Sequence, residues 1–370
     1  MTIKAKAAVL RAVGAPLGIE TVEIGQLGPT DVLVRNRAAA LCHTDLEVIE
    51  GSLAFPLPIV LGHEAAGTVA AIGSAVTALK PGDPVALHWN PHCGHCFFCE
   101  QDQPILCERF TASVGKALAF DGAARLTSNG QPVHVLTFVG GFCEYAVVSE
   151  QGAGKLPPEI PFDRACLLGC GVMTGVGAAT RVAQLRWGSA AMVIGCGAVG
   201  LSAVQGAKLA GATTIVAVDV DDRKRDVVRK FGATHFCNAA REDAVAFVKV
   251  LTGGRGADVV LECAGNEKAF RVSVEACRPG GQVVWLGKVN VDKDVAFRWG
   301  SLMGERRFTR SSYGGARPQR DFPLLAQAYL HGTLELDALI TRRIRLEEIN
   351  EGFAALKRGE AIRTVVEYPA

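Results

Sequence analysis

Four cysteines lie close together in the first third of the chain and could hold a metal ion. They are Cys93, Cys96, Cys99 and Cys107, spaced C-x2-C-x2-C-x7-C, with Gly94 available for a tight turn. Four thiolates can close a tetrahedral shell around zinc, or around an iron–sulfur cluster, and a closed shell leaves no position for a substrate. The spacing therefore predicts a structural metal site, with redox chemistry of the cysteines as the competing interpretation.

A second set of candidate ligands is dispersed: Cys42 in a C-H-T-D segment, His63 in G-H-E, and Cys170 in G-C-G. Taken singly, each is more often a buried cysteine or a hydrogen-bonded core histidine than a ligand. Taken together, three ligands from separate segments leave a fourth coordination position open, which is the arrangement of a catalytic zinc. We therefore expect two zinc ions per chain, one structural and one catalytic.

A glycine-rich loop could bind a dinucleotide. Gly195, Gly197 and Gly200 form G-x-G-x-x-G between a strand-like run and an amphipathic helix, and Asp219 ends the next strand-like run, 19 residues after Gly200. Such a loop lets a pyrophosphate approach the backbone at a helix N-terminus, and the carboxylate binds the adenosine ribose. A glycine turn that only packs a helix on a strand is the alternative. Asp219 favours NAD because it would repel a 2′-phosphate, while Arg223 and Lys224 leave room for NADP or simply lie on a solvated helix face.

The elements that must position these residues change in type near residue 171. Before it, short β-branched runs and turns predict irregular, mostly antiparallel strands. Beyond it, strand-like runs alternate with helical ones, at 190–195, 198–210, 213–219, 222–231, 234–237, 241–251, 257–262, 267–277, 281–287 and 306–312. That alternation predicts an α/β dinucleotide-binding fold with a doubly wound, six-stranded parallel sheet. The chain then becomes helical again and ends in a predicted strand at 362–367.

Composition narrows the classes of function. The 370 residues are 49% hydrophobic and 21% charged, and 39 Lys plus Arg against 37 Asp plus Glu give a net charge of +2. This balance provides no broad field for nucleic acid or an anionic membrane, so small-molecule partners are favoured. No apolar run reaches the roughly 18 residues of a membrane helix, and the first residues lack a secretory signal, so we expect a cytoplasmic protein. In a reducing compartment the 12 cysteines are metal ligands or buried small residues rather than disulfides.

With these motifs the chain resembles the zinc-dependent medium-chain alcohol dehydrogenases, whose catalytic zinc has a Cys2His ligand set. The resemblance covers nearly the whole chain, through residues 41–45, 62–67, the four-cysteine segment, 169–175, the glycine loop and 362–364. It implies a GroES-like, β-rich catalytic domain, residues 1–171 and 315–370, around an inserted Rossmann domain, residues 172–314. It also implies an NAD-dependent enzyme that interconverts alcohols and aldehydes, with zinc lowering the pKa of the alcohol before hydride passes to the nicotinamide.

The resemblance also implies roles for single residues. Cys42, His63 and Cys170 would bind the catalytic zinc, with Asp45 and Glu64 close behind it. The implied contacts with substrate and cofactor are Thr44 with the alcohol oxygen, His43 and Arg363 with the pyrophosphate, and Thr174 with the nicotinamide.

The substrate is less constrained by the sequence. Leu53, Phe55 and Trp89 fall where the family lines its alcohol pocket with apolar side chains, although core packing would also account for each of them. On the resemblance, we expect a hydrophobic or aromatic primary alcohol.

Two positions depart from relatives in this family. Glu47 stands where many members end their proton relay in a histidine, so either Glu47 or water would take the proton that Thr44 passes outward. Thr111 stands where the glutathione-dependent formaldehyde dehydrogenases carry an arginine, so that activity is the alternative rather than the expectation.

Polyol dehydrogenases, which usually replace the Cys170 ligand, are a second rival. A catalytically silent relative is the third, and the complete set of candidate zinc ligands argues against it.

The resemblance finally predicts a homodimer. The stretch from Cys107 to Phe142 is long, as in the dimeric branch of the family. In that branch the Rossmann sheets continue edge to edge, so the strand at 306–312 would be shielded by its symmetry mate.

Overall fold

A computed structural model describes residues 2–369 of the chain. These residues form two compact units, the first made of residues 2–170 and 317–369 and the second of Gly171–Ala316.

The strands and helices are numbered here in chain order. The strands are β1 (Ile3–Leu10), β2 (Gly18–Ile24), β3 (Asp31–Ala40), β4 (Ile59–Val60), β5 (Ala65–Ile72), β6 (Pro84–Leu87), β7 (Leu126–Ser128), β8 (Gln131–Val135), β9 (Tyr145–Ser149), β10 (Ala153–Lys155), β11 (Ala190–Ile194), β12 (Thr214–Asp219), β13 (His235–Asn238), β14 (Ala257–Glu262), β15 (Cys277–Trp285), β16 (Arg307–Arg310), β17 (Ile340–Ile344) and β18 (Arg363–Glu367). The α-helices are α1 (His43–Glu50), α2 (Phe97–Glu100), α3 (Glu108–Ser113), α4 (Phe162–Ala165), α5 (Gly171–Gly177), α6 (Ala198–Leu209), α7 (Arg225–Lys230), α8 (Ala244–Leu251), α9 (Glu267–Ala276), α10 (Pro318–Leu330) and α11 (Ile349–Lys357).

The first unit is built mainly from antiparallel strands. Strands β1, β2, β7, β8 and β4 form a closed barrel, and a seven-stranded sheet runs β10-β6-β5-β3-β18-β17 with β9 also paired to β3. A hydrophobic core with Val9, Leu33, Leu61 and Val85 among its members lies within these strands. The strand at the chain end, β18, pairs with both β17 and β3 and so returns the last residues to this unit.

The second unit is a six-stranded parallel sheet in the order β13-β12-β11-β14-β15-β16. This arrangement confirms the predicted fold class, because the apolar runs of β11, β12 and β14 are buried as a central parallel strand requires. Strand β16 lies at one edge of the sheet.

The structure differs from the predicted elements mainly at their ends. The helix predicted at 222–231 begins as a 3-10 turn, Asp222–Lys224, before α7. The helix predicted at 241–251 begins only at Ala244, because the Asp243 side chain accepts hydrogen bonds from the backbone N–H groups of Val245 and Ala246 and caps the helix there.

Among residues 2–369 no single helix has the length and apolar character to cross a membrane, although one bent pair, Phe162–Gly169 with Gly171–Val182, meets both criteria together.

Candidate functional site

The dispersed candidate ligands converge in the first unit. One donor atom from each of Cys42, His63, Glu64 and Cys170 lies within 4.8 Å of every other. Cys42 is the residue before α1, His63 and Glu64 lie between β4 and β5, and Cys170 follows the turn Cys166–Gly169. Three segments that are distant in sequence therefore meet at one point.

The Asp45 carboxylate fixes two of these segments. It is fully buried, and it accepts hydrogen bonds from the backbone N–H groups of Cys42 at 3.1 Å and Gly62 at 2.9 Å. It also lies 3.2 Å from Nδ1 of His63. An imidazole held through Nδ1 presents Nε2 to a metal ion. Asp45 therefore fixes the Cys42 segment, Gly62 and His63 relative to one another.

The backbone conformation and the close packing at residue 62 both require glycine. Its φ of +89° lies in the left-handed region, and a Cβ atom there would come 2.8 Å from the Phe142 ring and backbone nitrogen. A larger residue would displace the neighbouring His63.

Glu64 pairs with Arg363 behind the cluster. Glu64 is fully buried, and its Oε1 accepts a hydrogen bond from Nη2 of Arg363 at 3.0 Å, while Nη1 donates to the Leu41 carbonyl at 3.1 Å. The second carboxylate oxygen, Oε2, has no hydrogen-bond partner among the described residues. Burial raises the pKa of Glu64 to about 8, although the Arg363 guanidinium opposes the shift. An unpartnered buried oxygen beside two thiols and an imidazole fits a bound cation.

The two thiols of the cluster differ in their electrostatics. A hydrogen bond from Cys170 holds the pKa of the Cys42 thiol well below its ordinary value in spite of burial. The same bond, together with burial, raises the pKa of Cys170 well above its ordinary value. Burial would lower the pKa of His63, but Asp45 and Cys42 outweigh it and raise that pKa well above normal. The ligand form of cysteine is the thiolate, so Cys42 is prepared for a metal.

The four neighbouring cysteines form a separate cluster in the same unit. The sulfur atoms of Cys93, Cys96, Cys99 and Cys107 all lie within 4.8 Å of one another. The backbone N–H groups of Cys99 and Glu108 lower the pKa of the Cys96 thiol to about 6. Four sulfurs with no carboxylate or imidazole among them fit a closed tetrahedral zinc shell.

In the second unit, the glycine loop joins β11 to α6. A Cβ atom on Gly195 would come 2.8 Å from the Ala264 nitrogen, and one on Gly200 would come 1.8 Å from the Gly195 carbonyl oxygen. A Cβ atom on Gly197 would meet nothing within 4 Å. Two of the three glycines are therefore required by packing, whereas Gly197 leaves open space beside the start of α6.

Asp219 lies at the end of β12 beside this loop. Its Oδ2 accepts hydrogen bonds from the Cys196 N–H at 2.8 Å and from Nζ of Lys224 at 2.9 Å, and its Oδ1 accepts from the N–H groups of Val220 and Asp221. An open cavity of about 150 Å³ adjoins the carboxylate. Its lining is mostly apolar: Ile194, Gly195, Val218, Asp219, Val220, Ala239, Ala264, Asn266, Lys268, Ala269 and Val272. We call this cavity the apolar slot.

The remaining predicted residues are more scattered. His43, Thr44 and Glu47 lie on α1, immediately after Cys42, with His43 exposed and the other two half-buried. Thr174 is buried on α5 in the second unit. Helix α1 is held at the Cys42 cluster by chain continuity and by Asp45 of the same helix, which contacts Gly62 and His63. Both Arg363 terminal nitrogens are engaged within the first unit.

The predicted pocket residues divide into two groups. Leu53 and Phe55 are partly buried and pack against the core of the first unit. Trp89 instead contacts Phe110, with ring centroids 5.9 Å apart. Phe110 in turn contacts Phe138 at 5.7 Å. Sequence reasoning missed Phe110 and Phe138, because no motif marks them and only the fold brings them to Trp89.

Comparisons with known proteins agree with this geometry. Residues 28–158 match the alcohol dehydrogenase GroES-like domain, and residues 198–330 match the zinc-binding dehydrogenase domain. The chain is 36% identical to the class-3 alcohol dehydrogenase of Cereibacter sphaeroides, over 98% of this chain and 100% of that protein. It is also 36% identical to the S-(hydroxymethyl)glutathione dehydrogenase of Escherichia coli, over 99% of this chain and 100% of that protein.

Two solved structures are similar over their full length. A zinc-binding-domain alcohol dehydrogenase protein from Burkholderia ambifaria matches with a TM-score of 0.96 and 36% identity, covering 100% of each chain. The benzyl alcohol dehydrogenase of Acinetobacter calcoaceticus matches with a TM-score of 0.94 and 30% identity, covering 99% of this chain and 100% of that one.

Proposed function

This chain belongs to the zinc-dependent medium-chain alcohol dehydrogenase family, and we propose that it interconverts a hydrophobic or aromatic primary alcohol and its aldehyde with NAD. As a member of that family it is an NAD-dependent zinc oxidoreductase. The main support for the proposal is that Cys42, His63 and Cys170 converge beside the buried carboxylate of Glu64. One oxygen of that carboxylate has no hydrogen-bond partner among the described residues. A relative retained only for structure would have no use for such an open donor set.

The residues fit two zinc ions per chain. Cys42, His63 and Cys170 would hold one, and the four-cysteine cluster would hold the other. When bound at the first site, zinc supplies a Lewis acid that lowers the pKa of an alcohol hydroxyl. The four-sulfur shell is closed, so its contribution is to folding stability.

The chain's own residues would then orient and deprotonate the alcohol. Thr44 lies two residues after Cys42 on α1, so its hydroxyl would accept the alcohol proton and pass it outward. Glu47 lies three residues further along the same helix, where it or water would take that proton. Asp45 keeps His63 in one orientation throughout, and the Glu64–Arg363 pair closes the buried side of the site.

Several residues would hold the cofactor. In the second unit, Gly197 gives the pyrophosphate room at the start of α6, and Asp219 with Lys224 binds the adenosine ribose. His43 and Arg363 would add positive charge for the pyrophosphate, and Thr174 would pack beside the nicotinamide that accepts the hydride. The hydrogen bonds to Leu41 and Glu64 use two of the five N–H donors of the Arg363 guanidinium, so this role does not require either of them to be broken.

A second candidate is supported by the relatives named S-(hydroxymethyl)glutathione dehydrogenase and class-3 alcohol dehydrogenase. Against it, Thr111 occupies the position of the expected arginine, and its hydroxyl donates to the Cys107 carbonyl of its own helix turn. A neutral threonine cannot supply the charge that holds a tripeptide carboxylate.

Two further assignments belong to this proposal. We take the domains to be residues 1–171 with 315–370, and 172–314. We also propose a homodimer in which β16, the edge strand of the second unit, pairs with its symmetry mate.

Absorbance of the reduced nicotinamide tests the activity directly. The purified protein is supplied with NAD and a panel of primary alcohols, aliphatic and aromatic, and with NADH and the matching aldehydes. Formaldehyde is tested with and without glutathione. We expect the wild type to oxidise alcohols of the panel and the Cys42→Ser variant to oxidise none of them. Activity confined to formaldehyde with glutathione would favour the second candidate, and no turnover with any substrate would refute the proposal.

A further inference from the structure

The second unit has another cavity at the end of its sheet opposite the glycine loop. This cavity has a volume of about 160 Å³ and a mostly polar lining. It is lined by Ala190 and Thr214, the first residues of β11 and β12, and by Asp258, the second residue of β14. The glycine loop instead follows the last residue of β11. The cavity and the loop are therefore separated by the length of β11, which is roughly 15 Å.

Two arginines, Arg255 and Arg278, line this cavity, and we call it the arginine cavity. Nε of Arg278 donates to Oδ1 of Asp258 at 2.6 Å, and its Nη1 donates to the Pro279 carbonyl at 2.6 Å. The other oxygen of Asp258 accepts the Ala190 N–H at 2.7 Å. Both Asp258 oxygens are therefore engaged, while Nη2 of Arg278 takes part in neither of the Arg278 hydrogen bonds.

A break in the strand pairing puts Arg278 beside Asp258. Between two successive paired positions, β14 has one residue, Asp258, whereas β15 has four, residues 278–281. A bulge of this kind redirects the side chains of the longer strand. The position of the Arg278 guanidinium is thus fixed by the bulge and by its ion pair with Asp258.

Arg255 borders the cavity from the turn that follows α8. Residues 253, 254 and 256 of this turn are glycines with positive φ. A Cβ atom on Gly256 would come 2.5 Å from the Ala276 carbonyl oxygen, so the turn requires glycine there. Arg255 itself is exposed, and it forms no hydrogen bond or ion pair with any other residue between 2 and 369. Its positive charge is therefore uncompensated.

The charge around the cavity is positive. Arg255 and Arg278 are opposed in the lining by one carboxylate, that of Asp258. Arg306 lies close by, because its Nε donates at 2.9 Å to the carbonyl of the residue before Arg278. Its other hydrogen bonds also go to backbone carbonyls, so no carboxylate neutralises it. The C-terminus of α8 also borders the cavity, but its partial negative charge offsets only part of this excess.

We propose that the arginine cavity binds a phosphate group, either inorganic phosphate or the phosphate of a monoester. The planar guanidinium matches the spacing of phosphate oxygens, and a phosphate has enough oxygens to accept from Arg255 and from Nη2 of Arg278 together. The volume is several times the roughly 30 Å³ that one water molecule takes in the liquid, so a group of four oxygens has room. Asp258 would serve to hold Arg278 in place.

This inference goes beyond the proposed function and does not depend on it. None of the residues that line the arginine cavity belongs to the two candidate metal sites or to the apolar slot.

Calorimetric titration of the full-length protein with inorganic phosphate tests the site. Chloride keeps the ionic strength constant, because salt screens exposed charges. The proteins compared are the wild type, Arg255→Gln, Asp258→Asn and Arg229→Gln. Arg229 is the matched control, since it is an exposed arginine of the same unit, on α7, that does not line the cavity. Methyl phosphate, titrated in parallel, distinguishes a monoester from the free anion.

We expect saturable binding of equal strength in the wild type and in Arg229→Gln. Arg255→Gln should weaken it roughly tenfold, as the loss of a hydrogen bond to a charged group does. Because Arg255 has no partner in the fold, its melting temperature should not change. Asp258→Asn should instead strengthen binding, by roughly fivefold, since a negative charge is removed while the amide oxygen still accepts the Ala190 N–H. Tighter binding of methyl phosphate would assign the site to a monoester, and tighter binding of inorganic phosphate to the free anion.

Three results would overturn the inference. The first is the absence of saturable binding of both phosphates, or an equal loss of binding in Arg229→Gln. The second is binding that Arg255→Gln leaves unchanged and NADH displaces, which would place the phosphate at the glycine loop. The third is weaker binding in Asp258→Asn at an unchanged melting temperature. Alcohol oxidation is measured separately, so a failure of the proposed function remains distinguishable from each of these results.

Discussion

Replacing Asp219 should change the choice between NAD and NADP. Its carboxylate is nearly buried and borders the apolar slot in the second unit. Two hydroxyls of an adenosine ribose would find an acceptor there, whereas the 2′-phosphate of NADP would meet a negative charge. The carboxylate keeps its position because Cys196 and Lys224 both donate to Oδ2.

The magnitude follows from these contacts. A hydrogen bond to a charged group contributes about 1.5 to 3 kcal/mol, and Lys224 at 2.9 Å already offsets part of the negative charge. We therefore expect Asp219→Gly to shift the preference towards NADP by about 1 to 3 kcal/mol, which is about 5- to 150-fold in the ratio of kcat/KM values. Freed from Asp219, Lys224 would add to this shift by binding the phosphate.

The variant also removes acceptors from backbone N–H groups, so its stability must be measured separately. Asp219→Asn keeps one carbonyl oxygen for these N–H groups and loses the charge, and it should show most of the shift with less loss of stability. Asp222→Asn is the matched control, since Asp222 is a more exposed carboxylate that binds Arg225 and Arg241 outside the slot. A wild type that prefers NADP, or an Asp222→Asn variant that shifts equally, would refute the assignment of Asp219.

Four further predictions follow from the same structure. Metal analysis should find two zinc ions per chain, with Cys96→Ser lowering the melting temperature and Cys42→Ser abolishing turnover in a folded protein; one zinc per chain would contradict this. If Glu47 ends the proton relay, Glu47→Gln should slow hydride transfer at low pH by about 10², and superimposable pH profiles would remove it from the mechanism. Light scattering should give a dimer mass, and a monomer or tetramer would count against pairing through β16. Burial lowers the pKa of His88 to about 3, below the unfolded value of about 6.5, so its contribution to stability is complete above pH ~6.5 and is lost as the pH falls. In urea unfolding, the free energy of unfolding of the wild type should therefore fall by roughly 2 to 3 kcal/mol more than that of His88→Leu when the pH is lowered from 7 to 4.5.

Much of the site could be predicted because its chemistry restricts residue types at local spacings. The four-cysteine cluster lies within fifteen residues, and Gly195 to Asp219 spans one strand–helix–strand unit. In both cases the sequence separation is short, so the spacing itself constrains the geometry. The six-stranded parallel sheet of the second unit could be predicted for the same reason, since strands alternating with helices admit few arrangements.

What could not be predicted depends on contacts between remote segments. Glu64 and Arg363 are 299 residues apart, and nothing local to either indicates that the guanidinium binds this carboxylate. The contacts of Phe110 with Trp89 and Phe138 are a similar case, because the fold brings these three rings together from separate segments.

The geometry of the metal cluster is maintained by groups outside the three Cys and His ligands. The Asp45 carboxylate accepts N–H groups from the Cys42 and Gly62 backbone, so a single side chain couples the positions of two ligand segments. A fully buried carboxylate is unfavourable unless its oxygens are engaged, and both Asp45 oxygens are. Arg363 connects Leu41, the residue before Cys42, to Glu64, the residue after His63. The same two ligand segments are therefore joined twice, by one buried anion and one buried cation, and this double connection keeps the ligands of the open site in place independently of the metal they would bind.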